Sequence, residues 1–167
     1  CVTSSNAVKV VSNIKEKNIF FVPDNNLGRY VAEKLPEKNF IFHDGFCHVH
    51  TSIEEENVRA AKALHPDALI LTHPECTKGV IELSDFVGST SEIIDFATKS
   101  SHTKFIICTE MGVFFELQQR NPVTVAKALD VLTKLGTDQM DAKRIELSDE
   151  IMERAAAPLW RMLELAK

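Results

Sequence analysis

Short apolar runs alternate along the chain with stretches in which apolar residues recur at helical spacing. The runs predict β-strands at residues 19–22, 40–42, 68–72, 86–88 and 105–109. The intervening stretches predict helices at residues 6–17, 27–35, 53–64, 78–84, 91–100 and 112–120. Thr51 and Ser52 precede two acids and predict the N-cap of the third of these helices. Because strands that alternate with helices are typical of βαβ crossovers, the pattern predicts an α/β fold with parallel sheets.

The pattern changes after residue 122, where helical spacing continues without a further strand-length run. Residues 123–135 predict one amphipathic helix, residues 144–147 an extended segment, and Ser148 the cap of a helix that continues through 155–165. We therefore expect two small α/β units, residues 1–50 and 51–122, followed by a helical tail at 123–167. No linker rich in Gly or Pro separates the units, so they should pack together and form any site where their strand ends meet.

Composition narrows the class of protein and its partners. The 167 residues are 44% hydrophobic, enough for a substantial core, and carry a formal net charge of -5 with acids and bases interspersed. No basic stripe is present to neutralise phosphates, so we expect no nucleic-acid partner. The apolar runs are far shorter than the roughly 20 residues of a membrane helix, so we expect no membrane span.

The cysteines and the start of the chain bear on its cellular setting. Four Cys without dense spacing indicate thiols or metal ligands more than a disulfide framework, which favours a reducing cytoplasm. The sequence begins at Cys1 instead of Met, and its first residues have neither the basic nor the apolar region of a secretory signal. We therefore expect a cytoplasmic protein whose full translation product is longer than these residues.

Residues 45–50, with the sequence GFCHVH, place Cys47, His48 and His50 after the predicted strand 40–42. Thiols and imidazoles are ligands for transition metals. In an extended segment Cys47 and His50 would point to opposite sides, so a shared metal would require a turn. The alternative is a buried Cys beside a structural His.

Residues 73–76, with the sequence HPEC, follow the predicted strand 68–72 in the same way. Pro74 restricts His73 to extended geometry, which directs the imidazole outward near the carboxylate of Glu75. Imidazoles and carboxylates move protons and bind metals. The alternative is that both residues only cap the following helix. Two such segments at equivalent strand ends favour a chemical site.

Hydroxyl groups gather at the starts of two predicted helices. Residues 88–91 (GSTS) and 3–6 (TSSN) offer backbone N–H groups and hydroxyls, among them Ser4, Ser89 and Thr90, that could bind a phosphate or a carboxylate. Ordinary N-capping explains the same residues. A further carboxylate, Glu110, follows the strand 105–109 and could bind substrate, brace a site or cap a helix. Arg29 and Tyr30 are expected to serve packing and the surface.

Taken together, these segments resemble the quinolinate synthase (NadA) family. The resemblance lies in the order and spacing of residues 3–8, 23–30, 45–50, 65–68, 73–76, 88–91 and 109–112. It implies three-layer α/β/α parallel-sheet domains, three in the full protein around a pseudo-threefold axis. Residues 1–50 would be the latter half of the middle domain, 51–122 the third domain, and 123–167 a helical return to the first. It also implies an oxygen-sensitive [4Fe–4S] cluster with one Cys from each domain and one open iron.

The same resemblance implies roles for individual residues. Cys47 would be a cluster ligand, whereas Cys1 and Cys76 match positions that are not ligands. The active-site residues would be His50, His73 and Glu75, and the carboxylate and phosphate binders would be Ser4, Ser89 and Thr90. The implied reaction condenses iminoaspartate with dihydroxyacetone phosphate to quinolinate on the way to NAD, with L-aspartate oxidase as the source of iminoaspartate.

Two departures from the family pattern bear on these implications. Its first domain is absent, and after residue 122 the segment that carries the third cluster Cys is missing, since no Cys follows Cys108. We therefore expect these residues to be part of a longer protein and to be inactive alone. The alternatives are a non-catalytic α/β paralogue that binds a dicarboxylate or phosphate, and a zinc hydrolase with Cys47, His50, His73 and Glu75 as its site.

Overall fold

The computed structural model describes residues 1–120 and 128–130, which form two parallel β-sheets with flanking helices. The first sheet pairs β1 (Asn18–Phe21) with β2 (Asn39–Phe42), accompanied by α1 (Ala7–Ser12) and α2 (Asn25–Lys34). A short helix, α3 (His48–Thr51), leads to the second unit. No helix in this described part is long and apolar enough to cross a membrane.

The second sheet has the strand order β4-β3-β5-β6. Its strands are β3 (Leu69–Thr72), β4 (Phe86–Val87), β5 (Phe105–Cys108) and β6 (Ala128–Asp130). The helices of this unit are α4 (Glu55–Leu64), α5 (Lys78–Glu82), α6 (Thr90–Lys99) and α7 (Gly112–Arg120). All strand pairs are parallel, which confirms the α/β parallel-sheet prediction.

The second unit has three layers, because its central strand is buried on both faces. Ile106 and Cys108 of β5 pack into one core with α4 and α5, whereas Phe105 and Ile107 point the other way into a core with α6 and α7. A strand covered on both sides is expected to be continuously apolar, as this one is. A third core joins α1 and α2 to the first sheet.

Helix α2 packs closely on the first sheet because it carries Gly28 at the contact. A Cβ atom at this position would lie 2.9 Å from Cδ1 of Phe21 and 3.0 Å from Cδ1 of Phe42. Residues Leu27 and Val31 of the same helix are buried in the core beneath it. Glycine therefore sets the distance between helix and sheet here.

The predicted strands are confirmed to within a residue or two, but three local predictions are wrong. The helix predicted at 6–17 ends at Ser12. Thr51 and Ser52 do not cap α4, since Thr51 ends α3 and the N-cap of α4 is Glu54. Residues 128–130, within the helix predicted at 123–135, form β6 instead, which pairs with the open edge of β5 and satisfies its backbone groups. The predictions at 144–147, Ser148 and 155–165 lie outside the described residues.

Candidate active site

The residues that follow the strands of the second sheet lie at one edge of that sheet. Thr72 at the end of β3 pairs with Val87 of β4 and with Cys108 of β5. The carboxyl ends of parallel strands meet at the same edge of a sheet, which is where open α/β folds bind ligands. His73 and Thr109 therefore leave adjacent strands side by side.

The single helical turn of α3 brings Cys47 and His50, from the segment 45–50, to this edge. Cys47 is the N-cap of α3, and His50 follows three residues later in the same turn. Residues three apart in a helix share a face, so α3 supplies the turn that a metal site shared by Cys47 and His50 requires. A ring nitrogen of His50, the Sγ atom of Cys47 and a carboxylate oxygen of Glu75 lie within 4.8 Å of one another. These three groups could hold a metal ion.

His50 is 6% exposed and has a partner at each ring nitrogen. Its Nδ1 lies 3.0 Å from Oε2 of Glu75, and its Nε2 lies 3.0 Å from Oγ1 of Thr109. Glu75 comes from the loop after β3 and Thr109 from the end of β5, so His50 connects α3 to two strand ends. The Thr109 hydroxyl is buried with it, in a residue that is 1% exposed.

His73 stacks on His50, with ring centroids 4.2 Å apart and planes inclined by 13°. Its Nε2 lies 3.0 Å from Oγ of Ser4, and its Nδ1 lies 3.3 Å from the backbone nitrogen of Glu75. Burial lowers the pKa of His73 to about 4, and positive charge on His50 acts in the same direction. The negative charge of Glu75 opposes both by raising this pKa. His73 is therefore neutral at physiological pH.

Glu75 is half-buried and ionised. A hydrogen bond from His50 is the largest of the causes that lower its pKa, and nearby positive charge and the Cys47 thiol act in the same direction. Burial opposes them. The backbone carbonyl of Glu75 accepts a hydrogen bond of 3.1 Å from Nδ2 of Asn26, which also reaches Thr51 in α3. The carboxylate is therefore positioned from both units.

Asp24 fixes the backbone that carries Cys47. Its Oδ1 accepts a hydrogen bond of 2.9 Å from the backbone N–H of Leu27 and so caps α2. Its Oδ2 accepts one of 2.5 Å from the backbone N–H of Cys47. One buried carboxylate thus holds a helix start and the thiol-bearing loop together.

Comparisons with known proteins identify the family to which this chain is similar. The family model described as "Quinolinate synthetase A protein" matches residues 1–164. The chain is 45% identical to a quinolinate synthase of Caldicellulosiruptor bescii over 98% of this chain and 58% of that protein. It is 42% identical to one of Clostridioides difficile over 99% of this chain and 59% of that protein.

The chain belongs to the quinolinate synthase family. A quinolinate synthase of Clostridium perfringens is 50% identical to it over 119 residues, which are 71% of this chain. The chain spans 58–59% of the length of the first three relatives. The alignment with the first of them runs over 175 residues, more than this chain has, so that quinolinate synthase carries residues within the matched region that are missing here.

Of the thiols in the described residues, Cys47 fits the cluster ligand that the sequence resemblance implies, and two others do not. Cys47 is half-buried beside Glu75 and His50. Cys76 and Cys108 are fully buried, and burial raises the pKa of both thiols, that of Cys108 to about 11. Clusters require thiolates, so Cys47 fits as one ligand and the buried pair does not.

The predicted anion-binding residues lie in two different places. Ser4 contacts His73 and belongs to the site described above. Ser89 caps α6 in a capping box: its hydroxyl accepts from the backbone N–H of Glu92 at 3.4 Å, and Oε2 of Glu92 accepts from the backbone N–H of Ser89 at 2.7 Å. The Ser89 hydroxyl also donates to Oε2 of Glu92 at 2.6 Å. Thr90 follows in the first turn of α6, and its hydroxyl makes no hydrogen bond to another residue in the described ranges. Neither Ser89 nor Thr90 is hydrogen-bonded to Cys47, His50, His73 or Glu75 among the residues described.

Glu110 is exposed, and its Oε2 accepts a hydrogen bond of 2.6 Å from the backbone N–H of Gly112. It therefore caps α7, one of the three roles considered for it. His73 and Glu75 do not cap α5, whose N-cap is Thr77. Arg29 lies exposed over the ring of Phe42, in agreement with a packing role.

Sequence reasoning missed three residues of the site: Asp24, Asn26 and Thr109. All three lie inside the segments that carry the family resemblance. In the sequence, Thr109 stands beside the carboxylate of Glu110, which is the more conspicuous candidate. The register of the parallel strands could have identified Thr109, because it places the residue after β5 beside His73, the residue after β3.

Proposed function

We propose that this chain is part of a quinolinate synthase that condenses iminoaspartate with dihydroxyacetone phosphate to quinolinate, with loss of phosphate and water, in NAD biosynthesis. The convergence of Cys47, His50 and Glu75 within 4.8 Å, in a chain of this family, is the observation that carries the proposal. Cytoplasmic location and supply of iminoaspartate by L-aspartate oxidase belong to the same proposal.

Cys47 would hold one iron of a [4Fe–4S] cluster, and the remaining ligands would come from outside the described residues. When bound, such a cluster with one open iron supplies a Lewis acid for substrate oxygen or nitrogen. The ionised carboxylate of Glu75 is positioned to take a proton from a carbon or nitrogen of the substrate. Neutral His73 holds Ser4, whose hydroxyl would bind a substrate carboxylate or phosphate.

Ser89 and Thr90 would bind the other anionic group of the substrates. They begin α6, where partial positive charge from the helix dipole stabilises anions. The hydroxyl of Thr90 has no hydrogen-bond partner among the described residues and suits direct donation, whereas the hydroxyl of Ser89 already donates to Glu92. The two sites would bind two of the three anionic groups of the proposed substrates, which carry two carboxylates and one phosphate.

Two cysteine variants of the full-length protein test the proposal. Anaerobically purified Cys47→Ala should lose cluster iron, sulfide and the brown colour, together with quinolinate formation. Cys76→Ala, the control, should keep most of the iron and sulfide because its thiol is buried in the core. Loss of the cluster in Cys76→Ala with retention in Cys47→Ala would overturn the assignment.

The wild-type protein separates the proposed function from its alternatives. Iron and sulfide together with quinolinate production support the proposal. One equivalent of zinc without sulfide would identify a zinc site at Cys47, His50 and Glu75 instead. A colourless protein that binds phosphate and forms no quinolinate would identify a non-catalytic paralogue.

A further inference from the structure

We propose that Thr109 is a positioning residue, whose hydroxyl donates to Nε2 of His50 and holds this ring in the Nδ1–H tautomer that anchors the carboxylate of Glu75. The consequence for turnover rests on the proposed function. The tautomer itself rests only on hydrogen bonds among described residues. In this proposal Thr109 acts through His50 and does not contact the substrate.

The donor and acceptor roles around His50 follow from the partner at Nδ1. An ionised carboxylate only accepts hydrogen bonds, so Nδ1 of His50 donates to Oε2 of Glu75 across 3.0 Å. Whenever the ring is neutral, Nε2 then carries no proton and can only accept a hydrogen bond. Oγ1 of Thr109 lies 3.0 Å away and carries the only hydrogen that faces Nε2 among the residues described.

Burial favours a hydrogen bond from the Thr109 hydroxyl to His50. Thr109 is 1% exposed, and Oγ1 has no other hydrogen-bond partner in the described part of the chain. A buried hydroxyl without a partner is costly, so the O–H bond is directed at His50. The hydroxyl on the end of β5 and the carboxylate of Glu75 therefore favour the same tautomer of this ring in α3.

The stacked ring of His73 is held in the opposite tautomer. The backbone N–H of Glu75 is directed at Nδ1 of His73 at 3.3 Å, so this nitrogen accepts. The proton of the neutral ring is then on Nε2, which donates to Oγ of Ser4 at 3.0 Å. The hydroxyl proton of Ser4 remains available for an anionic ligand. Glu75 thus fixes both rings, one through its side chain and one through its backbone.

Loss of the Thr109 hydroxyl would free His50 to rotate or to exchange its proton between nitrogens. The hydrogen bond to Glu75 would then form for only part of the time, and the carboxylate would lose its fixed direction. Residues that orient an active group through another typically affect activity by about 10–100-fold. We expect a loss of kcat of about that size, with KM little changed.

The test compares Thr109→Val, which keeps the shape and removes the hydroxyl, with Thr109→Ser, which keeps the hydroxyl. Imidazole ¹⁵N spectra of the full-length protein, with His50→Gln to assign the signals, report the tautomer of His50. Wild type and Thr109→Ser should show a protonated Nδ1 and a bare Nε2. Thr109→Val should show protonation of Nε2 in a measurable fraction of molecules.

Three results would overturn the proposal: a proton on Nε2 of His50 in the wild type, an unchanged tautomer in Thr109→Val, or a Thr109→Ser variant as impaired in kcat as Thr109→Val. The wild-type spectrum decides the tautomer even where Thr109→Val fails to fold. These spectra do not depend on quinolinate formation. A protein that makes no quinolinate but has the stated tautomers would therefore contradict the proposed function and leave the positioning role intact.

Discussion

The imidazole ring of His50 lies face to face with that of His73, with centroids 4.2 Å apart and planes inclined by 13°. The two rings come from different segments, one from α3 and one from the end of β3, and both are nearly buried. Two imidazolium cations at this distance would repel each other strongly. The stacked pair therefore carries at most one positive charge, and His73 is the ring that stays neutral.

Acid should destabilise the metal-free protein between pH 6.5 and 4 because of His73. Its pKa is about 4 in the folded protein, against an ordinary value of 6.5. In this window the unfolded chain binds the proton and the folded chain does not, so the free energy of unfolding falls as pH falls. The slope is at most about 1.4 kcal/mol per pH unit, and partial solvation of the ring reduces the total to about 1–2 kcal/mol. Urea denaturation at several pH values measures it.

A His73→Gln variant should have a flatter profile over this pH range. His102→Gln, which removes an exposed imidazole, should keep the wild-type slope. The lowered pKa of Glu75 adds a separate loss of stability below pH 4.5, because the unfolded chain takes up this proton before the folded chain does. If the pH dependence of the free energy of unfolding were unchanged in His73→Gln, His73 would not be the cause of the acid destabilisation.

Replacing Glu75 by Gln should stop turnover and leave the cluster in place. The amide keeps the shape and can still accept a hydrogen bond from His50, but it lacks the negative charge needed to take a proton. We expect kcat to fall about 100-fold or more, measured as quinolinate formation, with iron and sulfide content near wild type. Loss of iron in this variant would indicate that Glu75 holds the metal site together.

Ser4 and Ser5 provide a matched pair for substrate binding. Oγ of Ser4 lies 3.0 Å from Nε2 of His73, whereas Oγ of Ser5 pairs with Thr3 on the surface. A hydrogen bond to an anionic ligand contributes about 1.5–3 kcal/mol, so Ser4→Ala should raise KM about tenfold or more. Ser5→Ala should behave as wild type. A larger effect of Ser5→Ala would show that the neighbouring serine binds the ligand.

Most of the fold and much of the site could be predicted from local pattern. The apolar runs of β3 and β5 are buried on two faces and are readable from composition alone. The same runs place His73 and Thr109 at strand ends. Sequence alone predicts a site at Cys47, His50, His73 and Glu75, because thiol, imidazole and carboxylate groups at strand ends are typical of chemistry.

The remaining features depend on partners distant in the sequence. The turn at His48–Thr51 joins Cys47 to His50, but four residues carry too weak a helical signal to distinguish a turn from an extended loop. Residues 128–130 have helical spacing, and the open edge of β5 determines that they form a strand. Thr109 acquires its role only through Nε2 of His50, 59 residues away.

Replacing Asp24 by Asn should loosen the Cys47 loop without uncapping α2. Asn is a good N-cap, so Oδ1 should still accept from the backbone N–H of Leu27. The new amide nitrogen would face the N–H of Cys47, donor against donor, and remove a hydrogen bond to a charged group of about 1.5–3 kcal/mol.

Amide hydrogen exchange resolves the two effects. In Asp24→Asn the Cys47 amide should exchange about tenfold faster or more, the Leu27 amide should remain protected, and the full-length protein should lose cluster iron faster during anaerobic dialysis. Asp44→Asn, an exposed acid in the same loop, is the matched control and should leave both amides unchanged. Equal acceleration at Leu27 and Cys47 would mean that the cap and the loop are one unit. Asp24 would then affect Cys47 by stabilising the start of α2, and not through the hydrogen bond between its Oδ2 and the N–H of Cys47.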